Sequence, residues 1–85
     1  MITEAAFTIA GEVEAEVSRA EARYGNFTST HEGLGVLLEE FNELTDAIRA
    51  NDLAAVRREA IQVSAVASRI AEAVGDAACA ARSVP

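Results

Sequence analysis

Hydrophobic positions recur along the chain at steps of three and four, in three blocks separated by short polar breaks, which is the spacing of helices. In the first block Phe7, Ala10, Val13, Val17, Ala20 and Tyr24 share one helical face and predict a helix over about residues 3–24. Gly25 and Asn26, which tolerate a left-handed backbone, stop it. Glu12, Glu16, Arg19 and Arg23 fall mostly off the apolar stripe, which Glu14 and Glu21 flank. The second block starts at Ser29-Thr30-His31-Glu32, a capping box with Ser29 as N-cap and Glu32 reaching back to its backbone N–H. Leu34, Leu37, Leu38, Phe41, Leu44 and Ile48 then predict a helix over 30–50 with these residues as its core stripe. Asn51-Asp52 forms a tight break, with Asp52 a good N-cap for the next helix. In the third block Leu53, Val56, Ala60, Val63, Ala67, Ile70 and Val74 alternate steps of three and four, a near-heptad seam over 53–74. Gly75-Asp76 is expected to end it, leaving 76–85 as a short helix or a loose tail. The pattern therefore predicts an all-α fold, one antiparallel bundle of three main helices within a single domain.

The acids break this pattern unevenly. The stretch HEGLGVLLEEFNEL holds four carboxylates on an otherwise apolar helix. At about 100° per residue, with Phe41 at the centre of the core face, Glu40 lies roughly 100° to one side and Glu43 roughly 160° to the same side. Their stripe also holds Gly33, Val36 and Ala47, small or apolar residues that another helix or a ligand can approach closely. Glu39 lies with Gly35, Asp46 and Arg49 on a solvated face. On the third helix Glu59 sits only about 40° from Val63, inside the apolar stripe, where a carboxylate needs a partner or a metal. Gln62 lies one turn on, and Arg58 and Arg69 border the same side.

The tight turn at about residue 52 makes the second and third helices antiparallel neighbours. Counted from that turn, Glu43 is level with Glu59 and Glu40 with Gln62. Four oxygen-bearing side chains thus face one another in two layers, a plausible site for a hard cation such as Mg²⁺. A salt bridge from Glu59 to Arg58, Arg69 or an Arg of a partner subunit is the competing reading.

Composition bounds the rest. Eighty-five residues with one Cys and one His offer neither an internal disulfide nor a zinc cluster, so self-association is the expected source of extra stability. Ile61, with Ala54, Ala65 and Ser68, forms a second small-residue face on the third helix, suited to another subunit. The net charge of −7 argues against nucleic-acid or anionic-membrane binding. No run approaches a membrane span and no signal-peptide pattern opens the chain, so a cytoplasmic protein is expected.

LLEEFNELTDAI resembles the Glu-Glu-x-x-Glu-Leu-x-x-Ala motif of the MazG-like all-α nucleoside triphosphate pyrophosphohydrolases. Glu40-Phe41-Asn42-Glu43 fits that family's Glu-x-x-Glu half. Glu59-Ala60-Ile61-Gln62 fits its Glu-x-x-Asp half, with Gln62 where Asp is expected. Phe27, Ser29 and His31-Glu32-Gly33 also look like a small MazG-like branch, and the resemblance covers about residues 27–74. It implies a helical bundle assembled as a homodimer or homotetramer. It also implies Mg²⁺-dependent (or Mn²⁺-dependent) hydrolysis of a nucleoside triphosphate to the monophosphate and pyrophosphate, a house-cleaning activity. Carried over by position, Glu40, Glu43 and Glu59 would be metal ligands, Gln62 a weakened fourth, and Glu40 or Glu43 would position the attacking water. Glu39, Glu14 or Glu21 are the candidate acids to replace the missing one. Arg58 and Arg69 are candidate phosphate clamps, and His31 a candidate base contact. The alternative is a catalytically degenerate bundle acting as an interaction or nucleotide-sensing module.

Overall fold

The computed structural model describes residues 8–83, and their side chains as far as residue 75. Three helices make up the fold: α1 (Ile9–Tyr24), α2 (Thr30–Arg49) and α3 (Leu53–Ser83). Each end has a local cause. Thr8 caps α1, its hydroxyl accepting from the Gly11 N–H at 2.9 Å, so the helix starts later than the apolar spacing predicts. Phe7 lies outside the described residues. Gly25 closes α1 at φ 75°, its N–H donating to the Glu21 carbonyl. Ser29 caps α2 by accepting from the Glu32 N–H at 3.1 Å. The reciprocal bond goes one residue further back than expected, from the Thr28 N–H to the Glu32 carboxylate. Asn51 turns the chain at φ 56°, and Asp52 accepts from the Ala55 N–H at 3.1 Å to start α3.

A second boundary differs. α3 does not stop at Gly75-Asp76 but continues to Ser83. A helical Gly costs only about 1 kcal/mol, and the alanines around it are the strongest helix formers. No proline follows until Pro85 to force a break. The fate of Val84 and Pro85 lies outside the described residues.

α3 is the middle element. Both α1 and α2 pack on it and not on each other. Glu12 pairs with Arg57 and the Gly25 carbonyl with Arg69, offsets of 45 and 44 residues, so α1 runs parallel to α3. α2 runs antiparallel to both, as the turn dictates. The buried apolar side chains are small: Val17, Ala20, Ala47, Ala55, Ala65 and Val66. At Gly33 α2 is packed tightly against α3: an added Cβ would lie 2.6 Å from Cγ1 of Ile70.

Two packing expectations are reversed. Leu34, Leu38, Phe41 and Ile48 do not form the core of α2; they are 49 %, 52 %, 56 % and 57 % exposed. The stripe of Gly33, Val36, Glu40 and Ala47 faces α3 instead, because its small residues let the two backbones close. Conversely, the α3 face of Ala54, Ile61, Ala65 and Ser68 is not left for another subunit. α1 of the same chain lies along it, and Ala65 is 2 % exposed. The near-heptad seam of α3 is correspondingly broken: Leu53, Ala60 and Ala67 are exposed, while Ala55, Val66 and Arg69 are buried. A helix with two neighbours spaced around it buries a broad arc, not one stripe.

Candidate metal site

The hairpin brings the expected acids together. One carboxylate oxygen from each of Glu40, Glu43 and Glu59 lies within 4.8 Å of the others. Glu40 and Glu43 share a face of α2 one turn apart, and Glu59 meets them from α3 at the level the tight turn sets. Glu43 is exposed, whereas Glu40 and Glu59 are half-buried. Oε2 of Glu40 and Oε2 of Glu59 are fully enclosed and have no hydrogen-bond partner. Arg58 stands beside Glu59, its Nε 3.6 Å from Oε1, too far for more than a weak pair. Burial first, and then the adjoining carboxylates of Glu43 and Glu59, push the Glu40 carboxyl up to about 7.

The donor set fits a hard divalent cation. It consists of carboxylate oxygens alone, which suits Mg²⁺ or Mn²⁺ and not a thiophilic metal. Two orphaned buried oxygens are the atoms a cation would satisfy. Oxygens around octahedral Mg²⁺ stand roughly 3–4 Å apart, so side-chain rotation closes the observed spread.

Gln62 is placed differently from the three acids. It lies about 60° further round α3 than Glu59, on the side turned toward α1. There its amide lies beside the Glu16 carboxylate, lining the same hollow. Arg19, which forms an ion pair with Glu16, is the main cause holding the Glu16 carboxyl below its ordinary value, and Gln62 adds to it. Glu16 is thus the acid of α1 that reaches this region. The other acids considered do not: Glu39 is exposed on α2, and Glu14 and Glu21 line a separate hollow with Val13, Ser68 and Glu72. Sequence spacing missed Glu16 because the α1–α2 link fixes no register. Its available signal was its place one residue before the buried Val17.

Because α1 and α2 do not touch, a groove of about 470 Å³ runs between them with α3 as its floor. Glu16, Tyr24, Phe27, Glu40, Gln62 and Arg69 are among its walls. Arg69 is not a free clamp at its mouth. It is buried, its Nη2 donates to the Gly25 carbonyl at 3.2 Å, and its guanidinium lies 4.1 Å from the Phe27 ring centre. It braces the α1–α2 loop, and its buried Nε is unpartnered. Arg58 is exposed and borders Glu59. His31 stands exposed on the first turn of α2. No described helix is long and apolar enough to cross a membrane. Family models, curated proteins and solved structures gave no match to the chain.

Proposed function

We propose that this chain is a Mg²⁺-dependent nucleoside triphosphate pyrophosphohydrolase of the MazG-like kind, acting in the cytoplasm as a homodimer or homotetramer. The observation that carries the reading is the convergence of Glu40, Glu43 and Glu59 across the α2–α3 hairpin, with two of their oxygens buried and unpartnered. These three residues would hold the ion. When bound, Mg²⁺ supplies neutralising charge for the phosphates and acidifies a coordinated water. Glu40 or Glu43, the latter the most exposed of the three, would orient that water or take its proton. Hydrolysis between the α- and β-phosphates then consumes one water and yields a monophosphate and pyrophosphate. Arg58 is the cation placed to meet phosphate oxygens, bidentately if its weak contact with Glu59 opens. The groove is of a size that holds a nucleotide, and Tyr24 and Phe27 give it aromatic walls.

A second reading is favoured by one observation. Gln62 is engaged with Glu16 and brings no charge to the acids, as expected of a bundle that binds nucleotide without hydrolysing it.

The test is pyrophosphate release from a panel of common and modified triphosphates, with Mg²⁺, with Mn²⁺ and with EDTA. The hydrolase reading expects turnover that EDTA abolishes and that Glu43→Ala reduces by at least about a hundredfold. Nucleotide binding by calorimetry without turnover on any triphosphate would select the second reading.

A further inference from the structure

Four of the six large apolar side chains of α2 are on the outside, and they are regularly placed. Leu34, Leu38, Phe41 and Ile48, with Thr45 between the last two, follow steps of four, three, four and three. This is the seam of a two-stranded helix pair, and among the described residues nothing covers it. Its centre lies roughly 120° round α2 from the face that packs on α3, so the two faces are separate.

We propose that this seam is the surface on which a second copy of the chain docks, antiparallel, about a two-fold axis through Phe41. It specifies the homo-oligomeric part of the function proposed above but needs neither the metal nor the substrate. Three observations choose this occupant. The first is symmetry. Reversing the seam about Phe41 sets Leu34 against Ile48 of the second copy and Leu38 beside its Leu44 and Thr45, so each apolar residue meets another. A parallel pairing would instead stack Thr45 on Thr45 and align the two helix dipoles unfavourably. The second is charge. The chain carries −7, yet every acid of α2 lies at least about 100° from the centre of the seam. Two copies meet along the one lane of α2 that carries no negative charge.

The third is area. The four side chains, each about half open, expose on the order of 400 Å² of apolar surface, a patch of the size that marks interaction sites. Doubled across the axis and widened by the half-buried Leu37 and Leu44 at its edge, the contact reaches roughly 1,000 Å², the threshold of a specific interface. The chain has use for it. Among the described residues its own apolar core is four alanines and two valines, and none of the large side chains is fully buried.

The test reads association and not activity, so a failed hydrolase assay leaves it untouched. Sedimentation equilibrium at micromolar concentration is expected to give twice the 8.9 kDa of the chain. Phe41→Glu is expected to weaken that association by at least about tenfold. Orientation is read with Cys79 replaced by Ser and single cysteines placed on the seam. Phe41→Cys should cross-link to itself. Leu34→Cys should form a disulfide with Ile48→Cys when the two are mixed, and not with itself, since bridged Cα atoms must come within about 7 Å. These variants decide the matter even if Phe41→Glu does not fold. A monomer at every concentration, Leu34→Cys cross-linking to itself as readily as the mixture, or a dimer indifferent to Phe41→Glu would each overturn the proposal.

Discussion

At the scale of residues, Glu40 carries the sharpest consequence. An acid raised from 4.5 to about 7 favours the protonated form in the folded state. Its contribution to stability is therefore complete below about pH 4.5 and is lost as the pH rises through about 7. The metal-free protein is expected to melt at progressively lower temperature across that window. Glu40→Gln should flatten the trend, and Mg²⁺ should raise the melting temperature most at pH 7.5 and above, where the carboxylates are free of protons. Thermal denaturation at stepped pH, with and without Mg²⁺ at matched ionic strength, checks all three. Glu12 and Glu16, held below 4.5 chiefly by Arg57 and Arg19, lose their contributions only on acidification below that value, so they do not blur the window; Glu72, raised by the adjoining Glu21, adds a part of the trend that Glu40→Gln leaves in place. The acids of the site were legible beforehand because helical geometry and one tight turn suffice to set Glu40, Glu43 and Glu59 level. Glu16 was not, because a five-residue link between α1 and α2 leaves the rotation and register of α1 to packing.

At the scale of elements, the decisive contacts are those of small residues. Gly33 and Gly35 are two residues apart on α2 and have opposite surroundings. A Cβ at Gly33 would run into Ile70 and Phe27, while a Cβ at Gly35 meets nothing within 4 Å. Gly33→Val is therefore expected to destabilise by about 1–3 kcal/mol through overpacking. Gly35→Ala should stabilise by up to about 1 kcal/mol, through reduced unfolded-state entropy and better helix propensity. Chemical denaturation of the two variants should move the midpoint in opposite directions. The same contrast explains why the faces of α2 were misread from spacing. Periodicity reports which residues are apolar together, and the largest arc, from Leu34 to Ile48, looks like a core. It does not say whether the covering helix belongs to the same chain. Small size does: Gly33 and Ala47 are buried, and a Cβ at Gly33 would meet Ile70 of α3. The existence of α1, α2 and α3 and the breaks between them were legible because those caps are local, whereas the start of α1 and the end of α3 were not. The partner of each face was not, because partnership is a property of the assembled set.

At the scale of the whole molecule, α3 is the only element that touches both others. The carboxylate cluster belongs entirely to the α2–α3 hairpin, while the opposite wall of the groove belongs to α1. α1 is fastened by two buried residues, by the exposed Glu12–Arg57 and Glu16–Gln62 contacts, and by the Arg69 bond to Gly25. A helix held so lightly opens on its own, at a free energy well below that of global unfolding. Hydrogen exchange is expected to divide the protein in two, with amides of Ile9–Tyr24 exchanging early and those of the Gly33–Ala47 and Ala55–Arg69 spans late. Arg69→Leu should hasten only the early group. The unit that opens first is the one that walls the groove, and the unit that stays shut is the one that holds the acids. Access to the groove and integrity of the ligand set are thus governed by different local stabilities, and a cargo too large for the resting groove can be admitted without dismantling the cluster beside it.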